Sequence, residues 1–302
     1  MRCCCMLLGV MLCAGTARAD CGSIPYKPYV RIFEPNQRAV IAFNGREEIL
    51  LLTTDLRASE PTKVLEVIPF PSQPEVKKGR IEVIDAATDL INWKLSARLG
   101  KKWAGGGMGG MGGAGMGGAP LPPAGEVVER KQIGAHDVSV VHVLGQRRFV
   151  AWVEDYLKKD AVDNPTIPAA LKHVVADYLH DDFKWFAFNV VELGTDEVSK
   201  EALQYRFQTR FAYYPLRITR TEQGETSIKL LMLSPRLLRI PELGRPAVKL
   251  KHQPVRLAPA EVQSLDEDLY DLLGERNTQL LRIWEIKGRL SGFRRDVVTT
   301  WY

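Results

Sequence analysis

The chain has 302 residues, with 41 Lys and Arg against 36 Asp and Glu and a formal net charge of +5. A balance this weak, with its basic residues scattered, argues against nucleic acid as the partner; pairs such as Lys101-Lys102 and Arg294-Arg295 read as solvated surface. The length can bury a sizeable core and hold one or two domains.

The N-terminus is the most informative segment. Met1-Arg2 is a short basic start, Cys3 to Gly15 is an apolar run, and Ala17-Arg18-Ala19 supplies small residues suited to a signal peptidase. Residues 1–19 therefore read as a secretory signal peptide, cut between Ala19 and Asp20, which places the mature protein in the periplasm or outside the cell. Cleavage removes Arg2 and Arg18 and lowers the formal charge from +5 to +3. It also removes Cys3, Cys4, Cys5 and Cys13 and leaves Cys21 alone. One cysteine cannot close an intrachain disulfide, so Cys21 reads as a free thiol or as half of an intermolecular disulfide. A lipid anchor at Cys21 is disfavoured, because lipoprotein signals need a small residue before the cysteine and Asp20 is large and charged. No later stretch reaches the ~18 apolar residues of a membrane-spanning helix, so no transmembrane segment is expected in the mature chain.

Arg38–Phe43, Glu47–Leu52 and Val64–Pro69 are rich in Val, Ile and Leu and read as strands. Asn44-Gly45 between the first two is a tight hairpin signal. The prolines of Pro69–Pro74 predict an exit from the sheet. Ile84, Ala87, Ile91 and Leu95 lie along one side of a predicted helix over 84–99. Residues 104–125 form a Gly-rich, low-complexity segment that reads as a flexible loop. Gly105, Gly107 and Gly110 fit G-x-G-x-x-G only because glycine runs produce that spacing, and no nucleotide cofactor is inferred. Met108, Met111 and Met116 could meet a soft metal, but nothing there fixes a ligand geometry.

Glu126–Gln132 and Val138–Leu144 read as a strand pair around Gly134. Phe149, Trp152, Val153, Tyr156 and Leu157 fall on one face of an amphipathic helix, and Leu171, Val174, Val175, Tyr178 and Leu179 on one face of a second. Lys184–Leu193, Tyr205–Phe211 and Ser227–Leu233 look like further strands. Val262, Leu265, Leu269, Leu272 and Leu273 mark a third helix, stopped by Gly274. Leu280–Ile286 is apolar and fits either a strand or a helix. The set predicts an α+β protein, a mostly antiparallel sheet with amphipathic helices packed on one face. The expected organisation is one domain over 20–255, interrupted by the Gly/Met loop 104–125, and a C-terminal extension over 256–302 with one helix. A split into two domains at the loop is the alternative.

One cluster has geometry suited to chemistry. His173, Asp177 and His180 fall within a ~60° arc of the second helix, opposite its apolar stripe. Two imidazoles and a carboxylate on one face are candidate ligands for Zn²⁺ or Cu²⁺, set against a plain solvated face that lacks the surrounding shell to orient ligands. His136, His142 and His252 stand alone and read as structural or exposed. Trp152, Tyr156, Tyr178, Trp185, Phe186 and Phe188 read as core. H-E-x-x-H, a Walker loop, G-x-S-x-G and S-x-x-K are absent.

Several blocks in order carry a family resemblance: Asp20-Cys21-Gly22, Gln37–Leu52, Val67–Val76, Gln132–Val141, Phe149–Leu157, Leu171–Val190 and Tyr213–Thr219. Over about Cys21 to Leu233 the chain resembles the bacterial family known as domain of unknown function 2330. The resemblance implies an exported or envelope-associated protein and carries over no catalytic residue. Relatives often have a terminal anchor and more N-terminal cysteines. No such anchor is expected in this chain, and Cys21 is expected to lack a partner that the relatives have. The expected function is a non-catalytic module that binds an envelope protein partner. Extracytoplasmic metal binding and a hydrolase with a dispersed site are the alternatives.

Overall fold

The computed structural model describes residues 22–302 except 28, 101–123, 160–164, 166, 197, 200, 222–223, 244–247 and 276–277. The expected signal peptide, its cut at Ala19 and Asp20, Cys21, and the Gly/Met segment as far as residue 123 lie outside the described residues.

The chain opens with β1 (Ser23–Pro25), β2 (Ile32–Phe43), β3 (Glu47–Ala58), β4 (Thr62–Phe70) and β5 (Glu75–Lys78), followed by helix α1 (Glu82–Gly100). The hairpin β6 (Gly125–Ile133) and β7 (His136–Val143) leads into α2 (Gln146–Lys159), α3 (Ala169–His180) and β8 (Trp185–Leu193). Then come β9 (Val198–Ser199), β10 (Leu203–Gln208), β11 (Ala212–Tyr214), a 3-10 turn over Arg217–Thr221, and β12 (Glu225–Ser234). The last part holds β13 (Lys249–Leu250), β14 (Val255–Leu257), α4 (Pro259–Leu265), α5 (Glu267–Leu273), β15 (Gln279–Arg289) and β16 (Val297–Thr299).

The strands form two large sheets and one small one. A five-stranded sheet has the order β1-β4-β8-β7-β6. A nine-stranded sheet runs β13-β15-β12-β2-β3-β10-β5, with β14 beside β15 and β9 beside β3. β11 and β16 pair separately. Among the described strands the pairing of β12 with β2 is parallel and every other pairing is antiparallel.

Side-chain alternation shows how the layers stack, since neighbouring residues of a strand face opposite sides. Ala39, Ile41 and Phe43 of β2 and Leu230 and Met232 of β12 share an inner core with Ile68, Phe70, Val138, Val140 and Ala187 of the five-stranded sheet. The two sheets are therefore packed face to face. Val40, Ala42, Leu231 and Leu233 point the other way, under α1, α4 and α5. Leu65, Val67, Val141, Phe186 and Phe188 of the five-stranded sheet point outward under α2 and α3. The antiparallel α+β expectation holds, but the helices do not share one face. They divide between two outer faces, because strands apolar on both sides need a cover on each.

Two local outcomes differ from the sequence reading. The single helix expected over 262–273 is two helices broken at Asp266. Asp266 is extended (φ −165°, ψ 136°), and its carboxylate accepts from the Asp268 and Leu269 amides at 3.0 and 3.3 Å, capping α5. A good N-cap inside an apolar pattern starts a new helix there. Gly274 does end α5, with φ 77°. The ambiguous run 280–286 is strand β15, paired with β12 from Ser234↔Leu280 to Glu225↔Arg289. Beyond residue 256, α4, α5 and β15 thus form part of the nine-stranded sheet and its helical cover, while β16 pairs with β11.

The Asn44-Gly45 turn joins β2 to β3 as expected. Asn44 Oδ1 accepts from the amides of Arg46 and Glu47 at 2.9 and 2.8 Å, and Gly45 adopts φ 97°. The Trp301 ring lies so close that a Cβ on Gly45 would collide with its Cη2. Gly45→Ala combines left-handed strain with this clash, and we expect a loss of about 2 kcal/mol in urea unfolding. Unchanged stability would show that the turn and Trp301 relax freely.

Candidate functional site

Helix α3 exposes His173 and His180 and holds Asp177 half-buried. The three do not converge on a shared point. Asp177 Oδ2 receives Arg220 Nη2, and His180 Nδ1 lies 3.5 Å from Asp181 Oδ1. Among the described residues no group of three His, Cys, Asp or Glu side chains is placed to hold a metal ion. The positive charge beside Asp177 comes from an arginine of the 3-10 turn.

That turn and the end of α3 build a charged cluster of their own. Arg217 lies over the Tyr178 ring, its Cζ 4.0 Å from the ring centre. Its Nη1 donates to Asp181 Oδ2 at 2.6 Å, and its backbone amide donates to Asp296 Oδ1 at 2.7 Å. The Tyr178 hydroxyl donates to the same Asp296 oxygen at 2.7 Å, while Arg217 Nε stands 3.6 Å from Asp296 Oδ2. Asp296 is the residue just before β16, so three segments distant in sequence meet at one carboxylate.

Burial governs the electrostatics. It pushes the Asp296 carboxyl up to about 6, against the opposing pull of the Tyr178 and Arg217 hydrogen bonds and the Arg217 charge. Burial and the neighbouring Asp296 hold the Tyr178 hydroxyl well above the ordinary tyrosine range. The hydrogen bond from Arg217 holds Asp181 below the usual carboxylate range. Burial works against the charge on Arg217, but Asp296 and Asp181 outweigh it and raise its pKa. Perturbed groups gathered in a cleft are a recognised mark of a functional site.

The cluster forms the floor of a cleft of about 410 Å³. Phe183, Phe211 and Val298 give it apolar walls, and Arg294, Arg295 and Glu242 also line it. Neither arginine has an ion-pair or hydrogen-bond partner among the described residues. Both lie on the surface, as their sequence suggested, but the pattern of residues held no sign that they border a concave site.

A second polar group lies between the two sheets. His136 is buried, with Nδ1 3.0 Å from Asn189 Oδ1 and Nε2 3.1 Å from the Glu201 carbonyl; Asn189 Nδ2 in turn donates to Glu66. The adjoining hollow is only about 30 Å³. That is room for a water or two, and both ring nitrogens are engaged, so the histidine acts as a tie between strands. His142 stacks on Trp185 at 4.1 Å, and burial lowers its pKa. Of the aromatic set, Tyr178, Phe186 and Phe188 are buried, while Trp152, Tyr156 and Trp185 are half-buried.

Residues 15–274 match the family described as an uncharacterized protein conserved in bacteria, DUF2330. The chain belongs to this family. The match includes Tyr178, Asp181 and Arg217 but stops short of Arg294, Arg295 and Asp296. No curated protein matches the chain. Among solved structures it is similar to a mutated baculovirus P35 after caspase cleavage, at 11% identity, covering 89% of this chain and 99% of that one with a TM-score of 0.44. Baculovirus P35 itself matches at 9% identity, covering 92% and 99% with a TM-score of 0.42.

The raised Asp296 carboxyl has a stability consequence. Its folded value of about 6 exceeds the ordinary 3.8, so its contribution is fully present below pH 3.8 and is lost as pH rises through about 6. Asp296→Asn removes this loss. The variant should gain roughly 2 kcal/mol on the wild type between pH 4 and pH 7, read as the difference in urea unfolding at the two pH values. A constant difference across that range would refute the assignment.

Proposed function

We propose that the chain is exported, cleaved between Ala19 and Asp20, and works in the periplasm or outside the cell as a non-catalytic module that binds a partner through the arginine cleft. The observation that carries this reading is the pair of guanidinium groups, Arg294 and Arg295, without partners among the described residues and lining a cleft of about 410 Å³. Guanidinium forks match the planar oxygens of carboxylates and the oxygens of phosphate. Phe183, Phe211 and Val298 supply apolar walls for the body of the ligand. The partner is therefore a molecule or protein segment presenting an oxyanion beside an apolar group. The leader-like residues 1–19 motivate the location.

The floor of the cleft gives the binding a pH dependence. Below about pH 6 Asp296 is neutral and Arg217 is less compensated, so an anion gains attraction. Above it the ionised carboxylate opposes the ligand. Benzenesulfonate, an oxyanion on an apolar ring that stays fully ionised over this range, titrated into the purified protein by calorimetry should bind more tightly at pH 5 than at pH 7.5. A double Arg294→Ala, Arg295→Ala variant, altered only at exposed positions, should weaken it by about tenfold or more. Equal binding by that variant would end the reading of the cleft. Intact mass of the protein recovered from its native envelope tests the location: a mature chain starting at Asp20 is expected, and a full-length chain retained in the cytoplasm would overturn it.

A further inference from the structure

A second hollow, of about 560 Å³, lies on the outer side of the five-stranded sheet, between strands β6 and β7 and helix α2. Pockets of this size commonly hold small ligands. Its lining is mixed. Trp152 and Tyr156, four residues apart on α2, pack with ring centres 5.7 Å apart. The Tyr156 hydroxyl is 3.1 Å from Ser139 Oγ, and either can donate. Val127 adds an exposed apolar side chain. Two of the three cations there are already compensated: Arg130 grips Asp137, with Nε at 2.9 Å from Oδ1, and Lys158 reaches Asp155 at 3.1 Å. Lys159 has no partner among the described residues.

We propose that this groove binds an acidic sugar, a short saccharide that places one ring carboxylate at Lys159. Aromatic side chains pack against the C–H surfaces of sugar rings, and the half-buried Tyr156, its hydroxyl set by buried Ser139, can bond a ring hydroxyl. The single uncompensated ammonium of Lys159 suits one carboxylate. A purely apolar ligand would cover the Lys159 ammonium without giving it a partner. Gly125 holds the aromatic wall in place. A Cβ there would lie 2.8 Å from Trp152 Cδ2, so the glycine allows the ring its position. The site is separate from the arginine cleft, and its success or failure does not depend on that reading.

The full chain is titrated by calorimetry with digalacturonate, a glucuronate-containing disaccharide, the methyl ester of digalacturonate, and AMP. The expected result is that at least one acidic disaccharide binds. The neutral ester should bind about tenfold more weakly, and Lys159→Ala should reduce acid-sugar affinity by a similar factor. Gly125→Ala should weaken both the acidic and the neutral sugar, whereas the Arg294→Ala, Arg295→Ala variant should leave both unchanged. Lys159 is exposed, so its substitution tests the charge without disturbing the fold. Failure of both acidic disaccharides to bind at millimolar concentration, equal binding by Lys159→Ala, or tighter binding of AMP would each overturn the proposal.

Discussion

Strands β2 and β12 carry apolar side chains on both faces, and a sheet built from them needs a cover on each side. In β2, Ala39, Ile41 and Phe43 turn one way and Val40 and Ala42 the other, and all five are buried. One cover is the five-stranded sheet; the other is α1, α4 and α5. The second sheet meets the same demand, because Phe186 and Phe188 face away from the shared interior and need α2 and α3. A slip of one residue in β2 would exchange its two apolar sets between covers shaped for different side chains. The order helix, sheet, sheet, helix follows from that pattern, and it positions the end of α3 beside the segment that carries Asp296.

Polar groups inside this stack are placed where backbone needs them. Glu48 is fully buried, and burial pushes its carboxyl well above the usual range, yet its Oε2 accepts the Tyr213 amide at 2.7 Å. That bond anchors β11, which in turn pairs with β16. Asp296 does the same for the amide of Arg217. Burying a carboxylate costs several kcal/mol in principle, and each of these two meets a donor that would otherwise be left unsatisfied in the interior. The charged cluster is thus an anchor for the chain as much as a floor for the cleft.

What could be read in advance followed from local physics. The Asn44-Gly45 turn, the strands beside it, and the apolar stripes of α2 and α3 are written in residues a few positions apart, and each formed. The break at Asp266 was also local, but the apolar spacing from Val262 to Leu273 runs through it and hid the cap. Two-sided burial of β2 and β12 was visible as unbroken apolar runs; which element covers which face was not, because it depends on pairings such as β2 with β12, nearly two hundred positions apart. The same holds for the candidate site. Asp177 looked like a ligand because its helix face was legible, while Arg220, which meets it, lies on a separate turn. Asp296 carried no signal at all in a run of charged residues, since its character comes from being enclosed by Tyr178 and Arg217.

The meeting of β11, β16, the 217–221 turn and α3 at Asp296 has a consequence for folding. The cleft needs residues from 181 to 217 together with residues 294–298, and Trp301 just beyond them packs against Gly45. Contacts this distant along the chain slow folding as a whole. The cleft is therefore a feature of the finished molecule and of no partial one. A ligand held there recognises the closed fold alone, so by mass action its binding energy resists opening of the whole molecule and not merely of one loop. Such a ligand would bridge the 181–217 stretch and β16, and letting go of β16 would mean letting go of it.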